Sequence, residues 1–162
     1  MEIYDKSGNV IASSVPPESR NFDNMTIRNA WMVDLELEGM SFSRSDLSGS
    51  EFTGSDLYGS ILIETNMSQC KMQGVDLRSS YIDEVCFRGA DLRNARFSRD
   101  ELGGGLTLHA ADFTDANLEG ADFSGSKYDA ATIFLEGFDP VQKGMIKLED
   151  WEREHRPQAA NS

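Results

Sequence analysis

The chain has 162 residues, which is enough for one domain, and it carries 28 acidic against 15 basic side chains, a formal net charge of −13. Such acidity excludes ordinary binding to nucleic acids or to anionic membrane surfaces, which both require basic patches. No stretch approaches the ~18 apolar residues of a membrane span, and residues 1–5 lack the basic and apolar character of a signal peptide, so we expect a cytoplasmic protein.

The first predicted element is a β-hairpin over residues 2–13. Two short apolar runs, residues 2–4 and 10–12, flank the turn residues 5–9, which include a Gly-Asn pair typical of turns. We assign residues 1–20 to an N-terminal cap, because the end of a stacked β-structure needs protection of its open edge. Pro16 and Pro17 lie in the connection that follows.

From residue 22 onward an apolar residue recurs at every fifth position. A period of five fits neither the α-helix nor the simple strand, and it indicates a repeat architecture. With 39% apolar residues in the chain, chance does not produce such a series. Its members are Phe22, Ile27, Met32, Leu37, Phe42, Leu47, Phe52, Leu57, Leu62, Met67, Met72, Leu77, Ile82, Phe87, Leu92, Phe97, Leu102 and then, after one extra residue, Leu108, Phe113, Leu118, Phe123, Tyr128 and Ile133.

Each five-residue unit has the same internal pattern around this central apolar residue. A small residue often lies two positions before it, as Ala111 and Ala121 do, Asp or Asn one position before it, and Gly two positions after it. Because side chains alternate in extended chain, the large and the small residue both point inward. Gly suits a turn that requires positive φ. One unit cannot bury its core alone, so the units must stack into a solenoid.

The run from Ala111 to Gly125, Ala-Asp-Phe-Thr-Asp, Ala-Asn-Leu-Glu-Gly, Ala-Asp-Phe-Ser-Gly, resembles the pentapeptide-repeat family, and the resemblance extends over Phe22 to Ile133. It implies an all-β solenoid, a right-handed quadrilateral β-helix of about six coils over residues 21–134, in which four pentapeptides form each coil of 20 residues. The alternative, amphipathic strands in a sandwich, would need longer runs of period two.

The repeat has two irregular regions. Met25, Leu35 and Met40 occupy positions that are otherwise small, so we expect the first coil to be wider or less regular. The Gly103–Gly105 run adds one residue to the period, which predicts a bulge or small loop at one corner, with a functional loop as the alternative.

Residues 135–162 are predicted to form a helical cap and a disordered tail. Asp139-Pro140 is a typical helix start, Gly144 should end that short turn, and a second helix is expected from about Leu148 to His155. Phe138, Leu148 and Trp151 are candidates for packing on the last coil. The family resemblance implies a second role for this segment, the formation of a homodimer. Residues 157–162 should be disordered.

The sequence shows no catalytic or metal-binding motif, so we predict a protein that is not an enzyme and needs no cofactor. His109 and His155 have no nucleophile or carboxylate at a recognisable catalytic spacing, and no Cys/His cluster has zinc spacing. Cys70 is expected to fill space in the core, and Cys86 to point outward, where redox sensing is the weaker alternative. The many Asp residues are interpreted as solvated turn residues rather than calcium ligands.

A 20-residue coil assigns every fourth unit to the same face. The face centred on Phe22, Phe42, Leu62, Ile82, Leu102 and Phe123 then carries six acids against Arg44, a net charge of −5, and it also presents the outward apolar residues Ile61, Ile63 and Tyr81. Exposed apolar groups beside acids indicate a partner surface. The candidate residues are Asp23, Ile61, Ile63, Glu64, Tyr81, Asp83, Glu84, Glu101 and Asp122.

Three functions are compatible with these features. The first is a non-catalytic scaffold that presents an acidic face to a protein partner. The resemblance implies a second, mimicry of DNA to bind DNA gyrase or topoisomerase IV and protect it from quinolones or other poisons, which the net charge favours. The third is an immunity or toxin-neutralising protein. None of the three involves direct nucleic-acid or membrane contact.

Overall fold

The computed structural model describes residues 1–13, 19–103 and 105–149. The N-terminal hairpin consists of β1 (Glu2–Asp5) and β2 (Val10–Ser13), which pair antiparallel. Strand β1 also pairs antiparallel with β3 (Ala30–Trp31). The hairpin therefore adds two strands to the edge of the first turn of the repeat, and Ile3 on β1 is buried in the core.

The repeat winds into a coil whose turns are joined by parallel bridges between residues 20 apart. Four bridges join each of the first turns to the next, and the bridges form four ladders along the coil. Backbone hydrogen bonds accompany them, such as Phe22 N–H to the Ser41 carbonyl at 2.7 Å. The first members of the ladders are Asn21↔Ser41, Thr26↔Asp46, Trp31↔Glu51 and Glu36↔Asp56.

The predicted core positions from Phe22 to Phe97 are confirmed, since each of these side chains is fully buried. Equivalent residues stack from turn to turn: the rings of Phe97 and Phe123 lie 4.6 Å apart between centroids and are nearly parallel. The small residues two positions earlier are buried beside them. The hydroxyls of Ser45, Ser50, Ser55 and Ser80 donate to carbonyls of the preceding turn, Ser80 to Leu57 at 2.7 Å.

The recurrent glycines of the repeat lie at the corners of the coil, where the backbone adopts positive φ. The second residue after most centres has positive φ, for example Gly49 at 71° and Gly120 at 70°; Arg99 and Ala130 are exceptions. Within the described ranges, eleven non-glycine residues adopt the same left-handed conformation, Ala110 among them at 51°. These corners carry a conformational cost that Gly avoids.

The first turn is less regular than the others, but residue size does not explain the difference: Ala30 also donates to a serine hydroxyl of the next turn, whereas Met40 donates to the Leu37 carbonyl as in later turns. From the second turn on, the small residue donates its N–H back to the preceding centre, as Ser60 does to Leu57 at 3.0 Å. Met25 and Leu35 donate instead to the hydroxyls of Ser45 and Ser55 one turn later. Leu35 is an exposed large hydrophobic residue.

The prediction of a one-residue insertion was wrong, because the structure inserts six residues. Bridges that normally join residues 20 apart join Cys86 to Asp112 and Arg96 to Asp122, 26 apart. Leu102 is therefore not a core residue: it lies in the inserted loop and is 90% exposed. Leu106 lies two positions before the core residue Leu108, where most other units have a small residue, and it is buried.

The end of the repeat also differs from the prediction. Ile133 occupies the outward ladder position opposite Asp112 and is 50% exposed. Phe134 points inward instead and stacks on Phe113 at 5.8 Å. The spacing between the inward residues Tyr128 and Phe134 is thus one residue longer than the regular five-residue period.

The last turn is closed by β4 (Lys127–Tyr128) and β5 (Ile146–Lys147), which pair parallel. Between them, Asp139 accepts hydrogen bonds from the N–H groups of Val141 and Gln142 and starts a hydrogen-bonded turn, and Gly144 follows with a φ of 73°. The ring of Phe138 packs on Phe134 at 4.8 Å. Trp151, most of the predicted second helix and the tail 157–162 lie outside the described residues.

Within the described part of the chain, no helix has the length and apolarity that crossing a bilayer requires.

Candidate protein-interaction face

One side of the coil combines exposed apolar and acidic side chains. Its ladder runs Asn21, Ser41, Ile61, Tyr81 and, beyond a break, Thr107 and Lys127. We call this side, together with the two corner residues that follow each of its core positions, the Tyr81 face. Tyr81 is 59% exposed, and Ile61 in the turn before it and Ile63 at the adjoining corner are half-buried. These three lie together as the sequence predicted.

Most acids of the Tyr81 face are not neutralised by a neighbouring base. Glu64, Asp83 and Glu84 form no ion pair with any residue that the structure describes. Asp23, at the start of the face, accepts hydrogen bonds from the Ser43 N–H at 2.8 Å and from the Ser41 hydroxyl. The unpaired carboxylates lie near Tyr81, so the negative potential and the apolar surface coincide.

The other sides of the coil pair many of their acids with bases. Asp46 binds Arg28, Asp112 binds Arg88 at 3.1 Å, and Asp91 binds Arg93 at 2.7 Å. Hydrogen bonds to Arg93 lower the pKa of Asp91 to about 2, against the opposing effect of its partial burial. Exposed pairs of this kind contribute little to stability, but they reduce the charge that these sides present to a partner.

Two predicted members of the acidic face lie elsewhere. Glu101 is in the inserted loop and is exposed. Asp122 bridges Arg96 and belongs to the ladder of Glu36, Asp56 and Asp76. The six-residue insertion causes both errors, because it shifts every later unit by one side of the coil relative to the sequence-based assignment.

The same shift brings His109 and Asp129 to the Tyr81 face, where sequence analysis did not place them. His109 Nδ1 contacts the Asp129 carboxylate. This hydrogen bond, with the negative charges of Asp129, Asp83 and Glu84, raises the pKa of His109 above its ordinary value. Partial burial alone would raise the pKa of Asp129, but hydrogen bonds from His109, Thr132 and backbone N–H groups lower it. The sequence predicts this pair only if the insertion is known to contain six residues.

Recounted in the observed register, the Tyr81 face carries five acids (Asp23, Glu64, Asp83, Glu84 and Asp129) against Arg44 and Lys127, a net charge of −3 with His109 neutral. This value replaces the predicted −5.

The inserted loop is anchored on the neighbouring side of the coil. Asp100 accepts hydrogen bonds from the hydroxyls of Tyr58, at 3.0 Å, and Ser79. Arg99 donates from Nε to the Gly103 carbonyl at 3.1 Å. The Arg78 guanidinium lies over the Tyr58 ring, 5.9 Å from its centroid. The loop is thus held at a fixed place beside the Tyr81 face.

A cavity of about 410 Å³ opens where the loop interrupts the ladder. It is lined by Ser79, Ser80, Tyr81, Asp83, Gly105, Leu106 and Thr107. Its volume lies within the range of small-ligand pockets, roughly 300–1,000 Å³. The cavity therefore lies between Tyr81 and Asp83 on one side of the break and residues 105–107 on the other.

Neither cysteine belongs to this face. Cys70 is buried, as predicted, and donates from Sγ to the Leu47 carbonyl at 3.2 Å. Burial raises the pKa of its thiol to about 12. Cys86 is free and partly exposed on the ladder of Thr26 and Asp46. Among the described residues no group of three His, Cys, Asp or Glu could hold a metal ion.

A sequence profile described as "Pentapeptide repeats" matches residues 21–59, 60–99 and 105–127 with eight copies of the repeat. The chain belongs to the pentapeptide-repeat family. No curated protein matches the chain at a significant level. The gap in the profile match between residues 99 and 105 coincides with the inserted loop.

Among solved structures, the chain is similar to alr5209, a pentapeptide-repeat protein from Nostoc PCC 7120, with 25% identity and a TM-score of 0.50 over 82% of this chain and 88% of that one. It is also similar to HetL, a pentapeptide-repeat protein of Nostoc sp. strain PCC 7120 involved in heterocyst differentiation regulation, with 23% identity, a TM-score of 0.41 and coverages of 71% and 49%. QnrB1, a plasmid-mediated fluoroquinolone resistance protein, matches with 14% identity, a TM-score of 0.41 and coverages of 83% and 96%. Membership of this family implies a right-handed quadrilateral β-helix.

Proposed function

We propose that this pentapeptide-repeat protein is a non-catalytic scaffold whose Tyr81 face binds a protein partner. The observation that supports this function best is the coincidence of the exposed Tyr81 ring with Ile61, Ile63 and the unpaired carboxylates of Asp83 and Glu84. Tyrosine is enriched at the energetically dominant centres of protein interfaces. Acids beside it favour encounter with a basic partner surface.

The proposal is tested by capture from the source cells with the purified chain as bait. We expect Tyr81→Ser combined with Ile63→Ser to lose a protein that the wild type retains, at an unchanged melting temperature, because both side chains lie on the outer surface. Trp31→Ser is the matched control: Trp31 is also an exposed aromatic, 42% accessible, but lies on a different ladder. Equal recovery by all three proteins would contradict the proposal.

A second candidate is mimicry of DNA toward DNA gyrase or topoisomerase IV. It is supported by the net charge of −13 and by the ladder that places the carboxylates of Glu36, Asp56 and Asp76 in successive turns. The ion pairs of Asp76 with Arg78 and Arg96 interrupt that row of charge. A supercoiling assay tests it: the chain should inhibit the topoisomerase, or protect it from a quinolone, more strongly at low salt. No effect at low salt would exclude this function.

A further inference from the structure

The ladder of the Tyr81 face lacks one complete rung. In the turn before the break, Leu62 N–H donates to the Tyr81 carbonyl at 2.8 Å and Tyr81 N–H to the Ser60 carbonyl at 2.9 Å. In the turn after it, Leu108 N–H donates to the Lys127 carbonyl at 2.8 Å and Lys127 N–H to the Leu106 carbonyl at 2.9 Å. Between these turns, the corresponding N–H groups of Ile82 and Thr107 have no hydrogen-bond partner among the described residues.

The break directly follows the inserted loop. Leu106, the first core residue after that loop, is buried at a position where most units have a small residue. Its size alone does not open the ladder, because Met40 holds the same position earlier on this face and the Phe22 N–H still donates to the Ser41 carbonyl at 2.7 Å. The rest of this junction is intact, because Glu84 N–H still reaches the His109 carbonyl at 2.8 Å.

The register of the neighbouring rungs identifies the groups that face each other across the break. They are the N–H groups of Ile82 and Thr107 and the carbonyl groups of Ser80 and Thr107, two donors and two acceptors without partners among the residues that the structure describes. Backbone groups of this kind are nearly always paired in native proteins. An extended peptide offers both donors and acceptors on each of its edges, and strand addition to open β-edges is a common mode of peptide recognition.

The charges around the break determine which peptide fits. Asp83 lines the cavity, Glu84 follows it at the same corner, and Asp129 lies beyond His109. The Tyr81 ring is exposed at the opening. Carboxylates favour a basic side chain, and an aromatic face stabilises a cation further, most often Arg.

We propose that the break between Tyr81 and Thr107 binds an extended segment of a protein partner, with an arginine or lysine side chain of that segment beside Asp83 and Tyr81. This proposal depends on the proposed function, since it specifies how the Tyr81 face holds its partner. The segment supplies the missing rung through its backbone, and its basic residue supplies specificity.

The first test is amide hydrogen exchange followed by NMR. In the free protein the amides of Ile82 and Thr107 should exchange at least tenfold faster than those of Leu62 and Lys127, which hold the respective equivalent positions in intact rungs. The probe is an acetylated, amidated hexapeptide of alternating valine and arginine, which should slow exchange at Ile82 and Thr107 and leave Leu62 unchanged. Unchanged exchange at Ile82 and Thr107 at millimolar peptide would overturn the proposal.

The second test measures peptide affinity by fluorescence anisotropy. Asp83→Asn should weaken binding of the arginine peptide about tenfold, whereas Glu119→Gln, a substitution of an exposed acid outside the Tyr81 face, should leave it unchanged. A valine–glutamate peptide should not bind. Equal affinity of Asp83→Asn and wild type would refute the role of the basic residue.

Failure of this proposal can be distinguished from failure of the proposed function. If Tyr81→Ser with Ile63→Ser abolishes partner capture but excess arginine peptide does not compete, the face binds a partner without using the break, and only the present inference is wrong. If neither variants nor peptide affect capture, the proposed function is wrong as well.

Discussion

Ser45 connects the first turn of the coil to the second through its hydroxyl group. The hydroxyl donates to the Phe22 carbonyl at 2.6 Å and accepts the Met25 N–H at 2.9 Å. No other donor among the described residues reaches the Phe22 carbonyl. The buried serines of the repeat are therefore not equivalent, because those facing the first turn satisfy backbone groups that a corner hydrogen bond satisfies elsewhere.

We expect Ser45→Ala to lower the free energy of unfolding by about 2 kcal/mol, since it leaves the partly buried Met25 N–H and the Phe22 carbonyl without partners. Thr65→Val is the matched control and should cost about 1 kcal/mol or less. The Thr65 hydroxyl donates to the Phe42 carbonyl at 2.8 Å, and that carbonyl keeps the Ser45 N–H at 3.1 Å. Urea unfolding of both variants measures the difference. Equal losses would show that the hydroxyl of Ser45 has no special role.

Ala110 lies at a left-handed corner, with a φ of 51°. Replacing Ala by Gly normally destabilises a protein, but here Gly removes the steric cost of positive φ, which is about 1–2 kcal/mol. Ala110→Gly should therefore raise the free energy of unfolding by up to about 1 kcal/mol. Ala131→Gly, at an exposed turn position without positive φ, should lower it by about 0.5 kcal/mol. A thermal melt that shows both variants less stable than wild type would contradict the argument.

The contact between His109 and Asp129 predicts a pH dependence. The pKa of His109 is raised in the folded state, so the contribution of this group to stability is complete below its ordinary pKa of about 6.5 and is lost as pH rises through the folded value. An NMR titration should show the pKa of His109 falling in Asp129→Asn. Asp115→Asn should leave it unchanged, and a His109 pKa unaffected by Asp129→Asn would exclude the contact.

The length of the insertion is tested by two leucines that the five-residue period treats alike. Leu92 is fully buried, whereas Leu102 is 90% exposed. Leu92→Ala should lower the free energy of unfolding by about 2–5 kcal/mol, and Leu102→Ala should change it by no more than about 0.5 kcal/mol. A large loss at Leu102 would restore the one-residue insertion and with it the predicted acidic face.

These leucines also show what the sequence could and could not predict. The period of five identifies the core from Phe22 to Phe97, because an inward side chain is required once in every unit whatever its identity. It fails at Leu102, since a loop of one repeat length plus one residue preserves the apolar spacing while removing the residue from the core. The errors at Glu101, Asp122, His109 and Asp129 all follow from that coincidence. Ile61, Ile63 and Tyr81 precede the loop, and their relative positions were predicted correctly.

In the last turn, too, the five-residue period selects the wrong inward residue, this time from two adjacent apolar residues. Phe134 stacks on Phe113 and on Phe138, whereas Ile133 lies on the outer ladder and is 50% exposed. Phe134→Ala removes these two ring contacts and an edge-on contact with the Tyr128 ring, and it should lower the free energy of unfolding by about 3 kcal/mol. Ile133→Ala should cost less than about 1 kcal/mol, because its backbone bonds to Ala111 and Phe113 remain. Urea unfolding distinguishes the two registers: a larger loss at Ile133 than at Phe134 would mean that Ile133 is the inward residue and that the fifth-residue period continues unbroken to the end of the repeat.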